Sequence, residues 1–197
     1  MEPNKKINFL AELQESIGTS VEYSVNSLTN SYELLHKFAG MKIIPLIQQK
    51  EITIATVELT TCGLLSDLLT GSSGASNFFI LGITPYSNEM KIKLGLPRKE
   101  LSFGGYGVVS PDAAKNLAKQ IRDFSGAEVG LAETGLLTSS ELVKRRTKKR
   151  AGEVFIAAAS ATEVQVRKLS IQSDLSRKYM RQEIAFRVLQ FLQEFLS

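Results

Sequence analysis

Residues 52–69, ITIATVELTTCGLLSDLL, constrain the fold of this chain more than any other stretch. Ile52, Ile54, Ala55 and Val57 form an apolar run too short for a typical helix, which reads as a buried strand. Thr60, Thr61, Cys62 and Gly63 are small and stand where the chain must turn. Leu64, Leu65, Leu68 and Leu69 then recur at three- and four-residue spacing, one face of a helix. Such a turn leaves free N–H groups and the positive end of a helix dipole facing it, so an anion or a developing oxyanion is expected there. Many strand–turn–helix units in α/β proteins bind nothing, and the pattern alone does not separate the two outcomes.

The remainder of the chain continues the alternation. Residues 16–31 are rich in Ser, Thr and Asn, while Phe9, Leu10, Leu13, Tyr32, Leu34, Leu35 and Phe38 have helical spacing. We read residues 1–40 as a partly helical N-terminal extension ending near Gly40, and residues 41–197 as the main domain. Ile43, Ile44, Leu46 and Ile47 predict a short helix that tolerates Pro45 in its first turn. Residues 71–77 are a Gly/Ser loop, and residues 78–84 a strand that Pro85 ends or confines to a sheet edge. Ser87 caps a helix through Leu94, with Glu89 in its first turn. Gly104, Gly105 and Gly107 form a loop without the order of a dinucleotide fingerprint. Ser110-Pro111-Asp112 starts a helix whose predicted buried face is Ala114, Leu117, Ala118, Ile121 and Phe124. Residues 128–132 read as a strand and Glu133-Thr134-Gly135 as a second turn. Residues 153–159 read as an interior strand and residues 163–169 as one covered on a single face. Residues 174–196 read as an amphipathic helix, with Ile184, Val188, Leu189, Leu192 and Phe195 along one side. Strands alternating with helices predict an α/β layered domain.

Composition removes several chemistries. Cys62 is the one cysteine and His36 the one histidine, so one chain cannot form an internal disulfide or a Cys/His zinc cluster. A Ser–His–Asp triad would need His36, which reads as a helix-surface residue in the extension. No apolar run approaches the roughly 20 residues of a membrane span. Asn8, Glu12 and Gln14 break the N-terminal apolar stretch, so no secretory leader is expected, and the setting expected is cytoplasmic. Six of the cations lie in residues 144–150, and the net charge of +4 becomes −2 once they are set aside. Basicity is therefore local. Lys144 to Arg150 could contact a phosphate backbone, but no aromatic residues interleave, and a solvated loop is the favoured reading over nucleic-acid binding.

Residues 41–196 resemble the CinA C-terminal domain family of nicotinamide-nucleotide amidases. The family pattern A-E-S-C-T-G-G stands here as Val57-Glu58-Leu59-Thr60-Thr61-Cys62-Gly63. The pattern G-S-S-x-x-F-x-x-G-x-V-T-Y-S-N-E-x-K is matched from Gly74 to Lys91, with Tyr86-Ser87-Asn88-Glu89-Met90-Lys91 its most specific part. Tyr106-Gly107-Val108-Val109-Ser110 resembles H-G-A-V-S, Glu133 to Ser139 resembles V-T-G-I-A-G-P, and Ala151 to Ala157 resembles V-G-T-V-Y-I-A. The resemblance implies a three-layer α/β/α domain with a mixed sheet, and hydrolysis of nicotinamide mononucleotide to nicotinic acid mononucleotide and ammonia, without metal or cofactor. A serine from the E-S-C-T-G-G turn would attack, with the motif lysine as base and donors at the turn for the oxyanion.

Lys91 and Tyr86 are kept, but Leu59 stands where the serine belongs, Cys62 replaces a glycine, Pro85 interrupts V-T-Y, and Thr138 and Ser139 replace a glycine and a proline. Leucine has no group that attacks a carbonyl. The favoured reading is a divergent member with lost or much reduced amidase activity that either binds a nicotinamide mononucleotide-like ligand or acts purely through protein contacts. The alternative is an active amidohydrolase in which Thr61 or Cys62 works with Lys91. By family match the ligand contacts are Gly63, Ser76, Asn88, Thr134 and Gly135, while Arg177 and Arg181 lie near a phosphate-holding position without a clear match. A homo-oligomer is the default expectation.

Overall fold

A computed structural model describes residues 7–18, 27–98, 108–138 and 150–197. Five strands form one sheet: β1 (Ile54–Glu58), β2 (Phe79–Ile83), β3 (Val129–Leu136), β4 (Glu153–Ala159) and β5 (Val164–Ser170), in the order β2-β1-β3-β4-β5. β1 runs parallel to β2 and β3, whereas β3–β4 and β4–β5 are antiparallel. The sheet is mixed, and helices cover both faces.

One face carries α6 (Pro111–Ser125), against Ala55, Val57, Ala132, Phe155 and Ala157. The Ser110 hydroxyl accepts from the Ala113 N–H, and Pro111 fills a position that needs no donor, so this helix starts where expected. Gly130 in β3 lets α6 approach, because a β-carbon there would collide with the Ala118 carbonyl oxygen. The buried stripe runs Ala113, Ala114, Leu117, Ala118, Ile121 and continues to the half-buried Ser125. Phe124, expected in that stripe, is instead 75% exposed. The true periodicity steps four residues from Ile121 and leaves Phe124 on the flank.

The other face carries α7 (Arg177–Leu196), α4 (Leu64–Thr70) and the N-terminal helices α1 (Ile7–Ser16), α2 (Ser27–Phe38) and α3 (Ile44–Gln49). α7 is not amphipathic. Tyr179, Met180, Phe186 and Phe191 are buried along with Ile184, Val188, Leu189 and Leu192, because the helix is sandwiched between the sheet and α1–α3. Phe195, expected on its apolar side, is only half-buried. Polar residues of α7 find partners in the extension: Gln182 accepts from the Ser31 hydroxyl at 2.8 Å, and Arg187 Nη2 donates to Glu12 at 3.0 Å. Gly40 does not end the N-terminal helical region. A π-helical turn, Ala39–Ile43, carries the chain from α2 into α3, with Pro45 in the first turn of α3. Phe9, Leu13, Leu35 and Phe38 enter the same core as Phe186 and Leu189, so α1 and α2 are part of the main packing unit.

The segment Glu133-Thr134-Gly135, read as a turn, belongs to β3 and pairs with Ile156, Phe155 and Val154 of β4. Gly135 is required by packing: a β-carbon there would lie 2.6 Å from Val154 Cγ2. The glycine-rich loop at 104–107 and residues 144–149 of the basic run lie outside the described residues; Arg150 is exposed.

Candidate functional site

Parallel pairing of β1 and β3 places Glu58, the last residue of β1, opposite Glu133, inside β3. The period of two sends both side chains to the α4/α7 face, and both are fully buried. Their partners come from the turn. Glu133 Oε1 accepts from the N–H groups of Thr60 and Thr61 at 2.7 and 2.8 Å and from the Thr61 hydroxyl at 2.8 Å, and Oε2 accepts from the Thr60 hydroxyl. Glu58 accepts from the N–H groups of Gly63, Leu65 and Ser66 at 2.8, 3.0 and 2.8 Å and from the Ser66 and Thr61 hydroxyls at 2.6 and 2.8 Å.

Two consequences follow from this count. The expected anion site at the start of α4 is already filled by the chain's own Glu58, so those N–H groups do not await a ligand. The Thr61 hydroxyl has one hydrogen but lies 2.8 Å from a carboxyl oxygen of each glutamate. That single hydrogen is shared between the two carboxyls. Burial raises the pKa of Glu133, against the pull of its Thr60 and Thr61 donors.

Thr61 is thus turned into the core. Cys62 adopts a left-handed backbone, φ 54°, followed by Gly63 at φ 96°, and its sulfur receives Arg181 Nη2 at 3.4 Å. The buried Nε of Arg181 has no hydrogen-bond partner in the structure.

A separate cleft of about 200 Å³ opens at the same end of the sheet, lined by Leu59, Thr60, Tyr86, Lys91, Val108, Val109, Thr134, Gly135 and Arg177. It lies outside the carboxyl ends of β1 and β3. The chain leaves β1 toward β2 on one side and reaches β3 on the other, which is where open α/β sheets hold ligands. Leu59 follows Glu58 and packs toward the α6 face. The Thr134 hydroxyl donates to the Val108 carbonyl at 2.7 Å and ties β3 to the segment entering α6. α5 (Asn88–Lys93) begins at Ser87, whose hydroxyl accepts from the Met90 N–H at 3.2 Å. This cap aims Lys91 into the cleft, where Nζ donates to the Tyr86 carbonyl at 3.2 Å. Burial pulls the Lys91 pKa below the ordinary lysine value.

Of the residues expected from sequence, Lys91, Tyr86, Thr134 and Gly135 meet in this cleft with Leu59. Thr61 and Cys62 do not line it, and the Gly63 N–H serves Glu58. Ser76 is exposed in a short turn, Ala75–Asn77, and Asn88 is exposed at the start of α5. His36 pairs with Asp67 at 3.1 Å, beside Tyr32, on the α2–α4 surface and away from the cleft. Sequence reasoning missed the organising roles of Glu58 and Glu133. Their signal was available: each is the acidic residue that closes an apolar run, IATVE and VGLAE, the one just before a pair of threonines. A larger groove, about 650 Å³, lies between the end of β2, α5 and Phe124, but Lys93 is its sole titratable lining residue. Among the described residues no group of three or more His, Cys, Asp or Glu could hold a metal ion, and no helix is long and apolar enough to cross a membrane.

Residues 37–196 match the CinA C-terminal domain. A putative competence-damage inducible protein of Thermoanaerobacter sp. (strain X514) is 36% identical over 135 residues, covering 68% of this chain and 32% of that protein. The chain thus spans about a third of the length of that relative. A CinA superfamily protein from Enterobacter cloacae superposes with TM-score 0.71 at 22% identity, covering 91% of this chain and 99% of the other. The competence damage-inducible protein A from Klebsiella pneumoniae gives TM-score 0.72 at 18% identity, covering 81% and 95%. These two likenesses speak to the fold.

Proposed function

The chain belongs to the CinA C-terminal domain family, and from that premise we propose that it is a pyridine-nucleotide-binding member that does not hydrolyse the carboxamide. The observation that carries this reading is Leu59, the side chain that shares the cleft with Lys91 and Tyr86 where the family pattern has serine. A lysine whose pKa is lowered by burial suits the part of a base, but a base needs a hydroxyl or thiol to deprotonate. The candidates within three residues are committed elsewhere. Thr60 and Thr61 hydroxyls are bonded to Glu133, and the Cys62 sulfur faces Arg181. Loss of a nucleophile costs several orders of magnitude in rate. What survives is a cleft with cationic, apolar and backbone groups suited to holding a small anionic heterocycle.

Ammonia release from nicotinamide mononucleotide tests the reading. The native chain, Thr61→Ala and Cys62→Ser should all stay at the no-protein background. Release by the native chain that either variant abolishes would establish the substituted-nucleophile alternative instead.

A further inference from the structure

The two edges of the sheet are finished differently. β5 carries Arg167 and Lys168, held in ion pairs with Glu194 and Glu153, and charges of this kind discourage another strand from pairing there. β2 has no such protection. Phe79 to Ile83 are all apolar or glycine, and among the described residues no backbone group pairs with the outer side of the strand. Ile80, at a register irregularity near the start, is 46% exposed, while Leu81 to Ile83 stay in step with β1. Beside the strand lies the groove of about 650 Å³, walled by Ile83, Pro85, Met90, Leu94 and Phe124. Met90 is 49% exposed and Phe124 75%. A bare strand edge continuous with an apolar groove suits another chain.

We infer that the β2 edge and this groove form a two-fold interface with a second copy of this chain, its β2 antiparallel to the first. Strand backbone repeats every two residues, so a two-fold axis between antiparallel copies passes at a residue pair, and Leu81 is the middle residue of β2. Pairing about Leu81 sets Ile80 of each copy opposite the partner's Gly82, with both on the face that carries α4. Gly82 is held side-chain-free by its own fold, since a β-carbon there would lie 2.1 Å from Ser66 Oγ of α4. Ile80 is thus a projection facing a gap, and the arrangement is self-complementary, as a two-fold contact requires. On the opposite face the two grooves meet beside the paired strands and cover Met90 and Phe124. Lys93 is the sole titratable residue lining the groove, so bringing two copies together buries little unpaired charge. The area is adequate: the exposed parts of Ile80, Met90 and Phe124 alone come to roughly 300 Å². The groove walls and the strand main chain add to this, toward the about 800 Å² per partner of a stable interface. Antiparallel pairing also sets the start of one β2 against the end of the other, which leads to Tyr86, so the second copy stands at the edge of the cleft. None of this depends on what the cleft binds.

Sedimentation equilibrium of the full chain tests this. At concentrations on the order of 100 μM the native chain should sediment at twice its 21.7 kDa. Ile80→Lys, which puts a charge on the paired edge, and Phe124→Ser, each checked for native circular dichroism, should weaken the dimer by at least about tenfold. Ser170→Lys, on the β5 edge, should leave it unchanged. In a Cys62→Ser background, a short bis-maleimide should link two copies through Ile80→Cys and not through Ser170→Cys. A native chain that stays monomeric would overturn the inference, as would native mass spectrometry showing a peptide or small molecule carried on the monomer instead. A dimer that survives both Ile80→Lys and Phe124→Ser, or one linked through Ser170→Cys, would overturn it equally.

Discussion

Glu58 is a buried acidic side chain that holds a turn together by accepting what the turn cannot satisfy internally. Its removal would strand the N–H groups of Gly63, Leu65 and Ser66. Each buried orphan costs about 1–3 kcal/mol, so Glu58→Ala should lose roughly 3–5 kcal/mol in urea unfolding. Glu133 should behave differently, because burial raises its pKa and favours the uncharged form. Glu133→Gln supplies a neutral group of the same shape and should fold with nearly native stability at neutral pH. The sign of its pH dependence follows from its raised folded pKa. Between the unfolded and folded values the native state binds the extra proton, so stability falls as pH rises through that window. Unfolding of native and Glu133→Gln proteins from pH 5 to pH 8 should therefore show a downward component in the native chain that the variant lacks. A difference between the two that does not vary with pH would contradict a raised folded pKa for Glu133.

At the scale of elements, the N-terminal helices are joined to α7 by a Glu12–Arg187 pair as well as by apolar packing. The Arg187 guanidinium holds the Glu12 carboxyl below its usual range, against a smaller cost of burial. A lowered folded pKa contributes stability above the unfolded value that disappears as pH falls through the folded one. Glu12 is partly exposed, so solvent screening limits the pair to about 1 kcal/mol or less. Glu12→Gln should lose that amount at pH 7 in urea titrations and nothing further below the folded pKa. Local signals were the legible part of these elements. Ser87 and Ser110 capped their helices, Pro45 fell in a first turn, and Pro85 followed an edge strand, since each rule depends on neighbours in sequence. Burial that depends on tertiary contact was not legible. Glu133-Thr134-Gly135 looks like a turn until Val154 of β4 is laid against Gly135 and the residue-60 turn supplies donors to Glu133. α7 looks amphipathic because its polar residues are visible in sequence, whereas the partners that let them be covered are 151 and 175 residues away.

For the whole molecule, the apolar framework and the cleft belong to opposite tendencies. The fold as a whole superposes on that of a CinA superfamily protein, over 91% of this chain. The departures from the family pattern concentrate at residues 59, 62, 85, 138 and 139, and the family resemblance made the cleft legible chiefly through the Tyr86–Lys91 motif and the turn after β1. The extension adds apolar mass behind α7, and none of its described residues lines the cleft. On the proposed function, this member binds without reacting. The most direct test follows the pyridine protons of nicotinamide mononucleotide by NMR in one sample with the full chain. Saturation transfer from protein to nucleotide is expected, displaced by added nicotinic acid mononucleotide, with the carboxamide intact throughout. Growth of nicotinic acid mononucleotide resonances, or no transfer at all, would contradict it.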